Sequence, residues 1–305
     1  MAKILITGGT GSIGKYLIKN LMDSGHEPIV LTRRSLDQKL PYKTFKWDLD
    51  NEYIDEKAFE GIEHVINLAG TGIADKRWTQ KRKAEIVNSR VNSNKILYAY
   101  LVKLNVKPLS FIGASAIGIY GGITSEHIFI ESDQPGTDFL GTTCKLWEES
   151  YEPFKKMGIR TSIVRIGVVL EKNSGAYSKI STPIKYGFGT VLGNGKQYMP
   201  WIHVHDLVAI FSELISSKLT NGIYNAVASE HVTNEKFTKA LANSLHRKII
   251  LPKAPAFLLK MVLGEMSAMV LTGSRVSNQK LLANNFKFKF NDLKTAFLDL
   301  ANNTK

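Results

Sequence analysis

Short apolar runs and stripes of helical period take turns along the first two thirds of the chain. Lys3-Ile4-Leu5-Ile6-Thr7 has the length and apolarity of a buried strand, and Leu17, Ile18, Leu21 and Met22 recur at helical spacing soon after it. His26 to Thr32, Thr44 to Trp47, His64 to Leu68, Ser110 to Ala114 and Thr161 to Val169 predict further strands. Arg77 to Leu104 predicts one long helix, with Ile86, Val87, Val91, Ile96, Leu97 and Leu101 as a partial apolar stripe. A second helix is expected over about Thr143 to Met157. Alternation of this kind predicts an α/β fold, a Rossmann-type doubly wound parallel sheet with helices on both faces. Ligands of such sheets sit beyond the carboxyl ends of the strands.

The pattern changes after Glu171. A stretch reaching Pro200 carries Gly187, Gly189, Gly193 and Gly195, and regular structure resumes at Trp201-Ile202-His203-Val204-His205-Asp206 with a helix behind it. Ile223 to Ala226 reads as one more sheet strand. From Val232 helices dominate, Ala256 to Thr272 among them, and Phe286-Lys287-Phe288-Lys289-Phe290 alternates like a short strand. The expected division is a nucleotide-binding core over residues 1–230, in which 171–200 contributes to a substrate cleft, and a smaller, mostly helical portion over 231–305.

The junction between the first strand and the first helix reads Gly8-Gly9-Thr10-Gly11-Ser12-Ile13-Gly14. Glycines at these spacings permit the tight turn, let the backbone approach a pyrophosphate, and let the helix lie close on the strand. The free N–H groups and positive dipole end of the helix then face the phosphates. About twenty positions on, where an acidic residue would grip the adenosine ribose of NAD, the chain reads Thr32-Arg33-Arg34. Guanidinium groups there attract a 2′-phosphate, so the expected cofactor is NADP(H). Asp48, ending the third strand, has two readings: an acceptor for the adenine amine, or the start of a turn.

Composition narrows the class. The 305 residues are 44% hydrophobic, with 40 Lys and Arg against 27 Asp and Glu, a net charge of +13. The basic residues are scattered among acidic and aromatic ones rather than gathered in a tail, so an anionic cofactor accounts for them better than nucleic acid does. No apolar run reaches the length of a membrane span, and the first apolar run belongs to a strand rather than to a leader peptide. With Cys144 as its one cysteine the chain forms no internal disulfide, and a reducing, cytoplasmic setting is expected. The expected partner is a small-molecule substrate, with a homodimer left open.

Thr7 to Gly14, Asn67-Leu68-Ala69-Gly70 and Trp201 to Asp206 resemble the extended short-chain dehydrogenase/reductases of the NAD-dependent epimerase type. Arg77-Trp78-Thr79, Ser89-Arg90-Val91, Ser115-Ala116-Ile117-Gly118-Ile119-Tyr120-Gly121, Trp147-Glu148, Arg165 to Leu170 and Gly193-Asn194-Gly195-Lys196-Gln197 resemble, more narrowly, its YfcH-like epimerase branch. That branch carries a C-terminal domain of unknown function, which Pro252 to Leu300 would match. The resemblance implies NADP(H) binding, with Thr32 and Arg33 at the adenosine phosphate and Leu68, Ala69 and Gly70 beneath the cofactor. It also implies Glu85 and Arg90 on the long helix beside it, and Val169 at the nicotinamide. Glu85 and Arg90 stand roughly 140° apart around the helix axis, so both reach a cofactor only if it runs along one flank.

Reductases and epimerases of that superfamily use a Ser or Thr, a Tyr, and a Lys four residues after the Tyr; the Lys and oxidised nicotinamide lower the phenol's pKa for proton exchange. Ser115 stands at a strand end where the hydroxyl belongs. The Tyr is missing: Lys145 is preceded four residues earlier by Gly141. Three explanations stay open. Tyr120 can serve as proton donor, His203, His205 or Asp206 can take that part, or the chemistry is reduced and the protein is a catalytically weak NADP(H)-binding sensor. Asp206 also reads as a helix cap, and Cys144 as a buried thiol rather than a nucleophile. Gln197, Tyr198 and Trp201 are expected to wall a pocket for a small carbonyl or sugar-like compound. The reading is therefore an NADP(H)-dependent oxidoreductase or epimerase, with the sensor as alternative.

Overall fold

In the computed structural model of the chain, residues 1–33, 40–172 and 175–302 are described. The elements run β1 (Lys3–Thr7), α1 (Ser12–Asp23), β2 (Glu27–Thr32), β3 (Lys43–Asp48), β4 (Tyr53–Ile54), β5 (His64–Asn67), α2 (Gln80–Lys103) and β6 (Ser110–Ala116). They continue with β7 (Ile128–Phe129), α3 (Phe139–Glu149), α4 (Glu152–Lys156), β8 (Arg160–Ile166), β9 (Val168–Leu170), α5 (Gly175–Lys185), β10 (Trp201–His203), α6 (Val204–Ile215) and β11 (Ile223–Ala226). The last are α7 (Asn234–Ser244), α8 (Ala256–Leu263), α9 (Ala268–Leu271), β12 (Arg275–Val276), α10 (Gln279–Ala283) and α11 (Leu293–Asn302).

Among the described residues the main sheet has the order β11-β8-β6-β5-β1-β2-β3-β4, parallel except where short β4 runs against β3. Its central strands are buried on both sides. Ile4 and Ile6 of β1 meet α1 and α6 through Leu17, Leu21, Leu207 and Phe211. Leu5, between them, faces the opposite cluster of Leu97 and Leu101 from α2, Trp147 from α3 and Phe154 from α4. This is the two-residue period of a strand feeding two layers. Pairing sets Thr7 beside Asn67 and Leu31, so the carboxyl ends of β1, β2 and β5 form one edge.

Several expected elements are redrawn. The long helix begins at Gln80 rather than Arg77, because the Thr79 hydroxyl accepts from the Arg82 N–H and caps it. The strand expected from Thr161 to Val169 breaks at Gly167, where a β-carbon would stand 2.8 Å from the Pro200 carbonyl oxygen and 2.9 Å from Val227 Cγ1. Beyond the break, β9 leaves the sheet and pairs with β10. The helix expected near 143–157 is two, α3 and α4. That expected over 256–272 is interrupted at Gly264, which has a left-handed φ of 61°.

Phe286 to Phe290 is not a strand. Its alternation is real, with Phe286, Phe288 and Phe290 buried. The N–H groups of Lys289 and Phe290, however, go to the two carboxylate oxygens of Asp206, at 2.8 and 3.0 Å, rather than to a neighbouring strand. Asp206 is thereby a clamp for the C-terminal tail, and burial raises its pKa. Among the described residues no helix is long and apolar enough to cross a membrane.

Candidate functional site

The glycine turn has the shape its spacing predicts. Gly8 has φ 68°, and a β-carbon on it would come within 2.7 Å of the Leu68 carbonyl oxygen; one on Gly14 would overlap the carbonyl oxygen of Gly8. Gly11 donates to Gly8 O at 3.0 Å and caps α1 without a side chain. The first-turn N–H groups of Ser12, Ile13 and Gly14, beside exposed Thr10, are thus left to an anion.

Across the turn, a buried polar network fixes the next strand end. The Thr7 hydroxyl bonds Asn67 Oδ1, and Asn67 Nδ2 donates to Ser93 Oγ at 3.0 Å and to Asn94 Oδ1. The Ala69 N–H is held by Thr7 Oγ1 and Asn67 Oδ1. Leu68, Ala69 and Gly70 therefore leave β5 along a fixed path beside the glycine turn.

Arg90 of α2 ends against Gly70, where an added β-carbon would lie 3.2 Å from its Cζ. Its guanidinium sits 4.9 Å over the Trp147 ring, Nη1 donates to Ile86 O at 2.8 Å, and burial lowers its pKa. Among the described residues no carboxylate lies within ion-pair distance of it. A half-buried cation without a counter-ion at this edge fits a phosphate.

Glu85 is exposed and paired with Arg82 at 3.1 Å. Val169 packs on the same core cluster as Ile13, Tyr16 and Leu68. Thr32 is buried at the end of β2 and Arg33 is exposed after it; Arg34 lies outside the described residues. The Asp48 carboxylate accepts from the Asp50 and Asn51 N–H groups and from Asn51 Nδ2, which lowers its pKa. Of its two readings, the structure displays the turn.

The expected hydroxyl pair is joined in a different way. Ser115 Oγ donates to Glu148 Oε1 at 2.7 Å, and Glu148 grips Arg165 with both oxygens, from Nε and Nη2, each at 2.8 Å. Arg165 Nη1 donates to Tyr120 Oη at 3.0 Å, and Tyr120 donates to Asn225 Oδ1 at 2.7 Å. Tyr120 is 3% exposed, and burial, only partly offset by Arg165, pushes its pKa up to about 12. Its hydroxyl lies within hydrogen-bond distance of two acceptors inside the protein, Asn225 Oδ1 and, at 3.0 Å, the Ile130 carbonyl oxygen. Ser115 is 1% exposed and turned toward Glu148, which leaves it only acceptor capacity for anything else.

Helix α3 also shows why no tyrosine stands in register. A β-carbon on Gly141 would overlap the carbonyl oxygen of Gly136, whose own N–H donates to Ile119 O at 2.7 Å. Lys145 lies on the exposed face of α3, 3.9 Å from Glu149. Cys144 is buried, and burial pushes its thiol up to about 12, which makes it inert.

Beyond the carboxyl ends of β6 and β8 lies a cavity of about 390 Å³. Its core-side wall is Ala116 to Gly118, Tyr120 and Ile166 to Val168; its outer wall is Gln197 to Pro200 and Ala268 to Val270. Gln197 is there as expected. Trp201 is not: it is fully buried in the cluster of Phe237 and Phe297, because β10 turns that side chain toward α7 and α11. His203 is buried too, its ring 3.8 Å from that of Phe290. The sequence reading missed the contribution of Ala268 to Ser274, and missed Glu148 and Arg165 as a pair. For the pair a signal existed: an arginine in the apolar run Ser162-Ile163-Val164-Arg165-Ile166 demands a buried partner.

Residues 4–226 match the NAD dependent epimerase/dehydratase family. The chain belongs to that family. Residues 254–300 match a domain of unknown function, DUF1731. The epimerase family protein YfhF of Bacillus subtilis is 34% identical over 297 residues, covering 97% of each chain. An epimerase family protein of Staphylococcus aureus is 33% identical over 310 residues, covering 98% of this chain and 99% of its own. Among solved structures, the human epimerase family protein SDR39U1 with NADPH superposes with a TM-score of 0.85 at 26% identity, covering 99% of each chain. A UDP-N-acetylglucosamine 4-epimerase from Bacillus cereus, at 19% identity and TM-score 0.77, shares the fold.

Proposed function

We propose that this family member binds NADP(H) along the edge formed by Gly8 to Gly14, Leu68 to Gly70 and Arg90, and uses it to interconvert a small carbonyl compound and its alcohol in the adjoining cavity. The observation that carries the reading is the unpaired Arg90 guanidinium facing the same strand ends as the uncapped start of α1. One is a cation and the other a set of N–H donors, and a pyrophosphate is complementary to both. NADPH in the human relative supports the choice of cofactor, and so does Arg33, exposed where an acidic residue would select NAD.

Bound there, the cofactor supplies or accepts hydride at the cavity. Ala69 and Gly70 would hold it, with Val169 at its nicotinamide end, while the Ser115 hydroxyl is committed to Glu148. In this reading Tyr120 is not the proton donor, because its hydroxyl is engaged by Asn225 and Ile130. A cavity beside the proposed cofactor edge leaves room for a substrate at the strand ends. The core is taken to end near residue 230, just past β11, with residues 231–305 closing the cavity.

The test is direct binding of NADPH and NADH to the wild type and to Arg33→Ala and Arg90→Met, together with NADPH oxidation over a carbonyl library. Arg33→Ala is expected to weaken NADPH by about 1–3 kcal/mol and NADH hardly at all, and Arg90→Met to weaken both. Equal affinity of the wild type for the two cofactors would overturn the NADP(H) assignment. Tight cofactor binding with no turnover across the library would return the protein to the regulatory reading.

A further inference from the structure

Two segments joined by a seam, residues 175–205 and 236–264, carry most of the apolar surface left open to solvent. At the seam the Thr190 hydroxyl donates to the Pro252 carbonyl at 2.5 Å, Leu192 is bridged in parallel to Ala254, and a β-carbon on Gly189 would stand 2.9 Å from Ile249 Cδ1. Phe188 and Ile250 therefore stand on neighbouring stretches of one surface, and α8 follows directly. None of the residues of α8 is buried. Leu259 and Leu263 are half-buried, one turn apart, and Phe257, Leu258, Met261 and Val262 form an exposed stripe on the other side at helical spacing. Among the described residues, every large apolar side chain at least as exposed as Val262, at 62%, lies in these two segments, apart from Met1 and Leu109.

Charge gathers on the same surface. The two segments together hold nine Lys and Arg and no Asp or Glu, so they account for most of the net charge of +13. Lys185, Arg247, Lys248 and Lys260 are exposed and, among the described residues, make no ion pair. The carboxylates that flank the second segment are already answered, Glu235 by Lys239 and Lys253, and Glu265 by Lys83. Each exposed apolar group has a free cation beside it in the chain: Lys185 next to Tyr186, Arg247 and Lys248 just before Ile250, and Lys260 between Phe257 and Met261.

An exposed apolar patch of this size marks a surface that something covers. A second copy of the chain would set these cations against their own kind. A projecting helix ridge with cations along it fits a bilayer instead, because the apolar side chains can enter the boundary between headgroups and acyl chains while the long basic stems keep their charges at lipid phosphates. We propose that α8, with residues 186–188 and 247–251, docks the protein on an anionic lipid bilayer without spanning it. Docking needs neither the cofactor edge nor the cavity, so it stands apart from the function proposed above.

The experiment uses the full chain and vesicles of two compositions, phosphatidylcholine alone and two parts phosphatidylcholine to one part phosphatidylglycerol, read by co-sedimentation. Binding is expected to be at least about tenfold stronger to the anionic vesicles, and to fall about tenfold between low and half-molar salt. Phe257→Ser with Met261→Ser, and separately Lys185→Glu with Lys248→Glu and Lys260→Glu, are each expected to weaken binding to anionic vesicles about tenfold. Their urea midpoints should stay as in the wild type, because every one of these positions is exposed. Lys46→Glu with Lys57→Glu and Lys107→Glu removes the same charge from exposed positions outside both segments, and is expected to keep binding within about threefold of the wild type. Equal binding to the two vesicles, no binding to either, an equal loss in both charge-reversed variants, or undiminished binding by the serine variant overturns the proposal. So does a wild-type dimer in sedimentation equilibrium that the serine variant dissociates, which assigns the face to a second copy. The comparison of the two vesicles needs no variant, so it decides even if a variant does not fold.

Discussion

The proposed cofactor edge and the cavity lie side by side at the carboxyl ends of the strands, yet they are built by opposite means. Apart from Arg90, the edge is made of backbone: a glycine-rich turn, the open start of α1, and a strand end held by Thr7 and Asn67. The cavity is made of apolar side chains from segments as far apart as Ile73 and Val276, with its charged network turned away behind the wall. Phosphate chemistry asks for N–H groups at fixed positions, which a short motif can supply. An apolar cavity asks only for shape, and many sequences supply that.

The largest expected effect tests whether the network behind the cavity is structural. Glu148→Ala leaves Arg165, with a side chain only 5% exposed, as a buried cation without its carboxylate, and is expected to cost about 3–5 kcal/mol in urea unfolding. A loss under about 1 kcal/mol would mean that solvent reaches the pair. On the cofactor side, Gly14→Ala forces a methyl group onto the Gly8 carbonyl, with an expected cost of about 1–3 kcal/mol. NADPH affinity should fall with it; unchanged affinity would remove the turn from the cofactor site.

The seam where the C-terminal tail meets β10 gives a pH signature. Burial holds His203 at about 3, below its ordinary 6.5, and its Nδ1 accepts from the His205 N–H. The Asp299 carboxylate lies 3.5 Å from Nε2, close enough to count as an ion pair only if the ring were charged; with burial favouring the neutral ring, it is not one. As pH falls below about 6.5 the unfolded chain takes up the proton first, so stability is lost from there toward pH 3, by about 1.4 kcal/mol for each pH unit. His203→Phe should flatten that limb of the stability curve; an equal slope in the variant would assign it elsewhere. The smallest effect is the most discriminating. Tyr120→Phe should cost about 1 kcal/mol of stability and leave turnover within twofold, whereas a hundredfold loss of turnover with intact NADPH binding would make Tyr120 the proton donor.

What the sequence discloses follows the same division. The strand, glycine turn and helix from Lys3 to Asp23 are legible because each residue's task there is local. The strand from Ile223 to Ala226 is legible because Thr220-Asn221-Gly222 marks a turn directly before it. The break at Gly167 is not legible, since its cause is the carbonyl of Pro200, distant in sequence. Trp201 reads as a pocket wall from composition alone, and only the pairing of β10 with β9 shows which way it points. The tail from Phe286 to Phe290 carries the period of a strand, but that period records burial of alternate rings, and its N–H partners sit on a side chain.

Gly141 has a consequence for the history of such a chain. The backbone of Gly136 occupies the space where a side chain at that position would begin, so the missing tyrosine cannot be restored by a single codon change. The intermediate with any larger residue at 141 must first part α3 from the loop before it, a loop also held by Asp138 through the N–H groups of Gly141 and Gly122. A chain with this contact is separated from the Tyr–Lys chemistry by at least one less stable variant rather than by one step. Selection acting on it explores the chemistry that the remaining cavity permits.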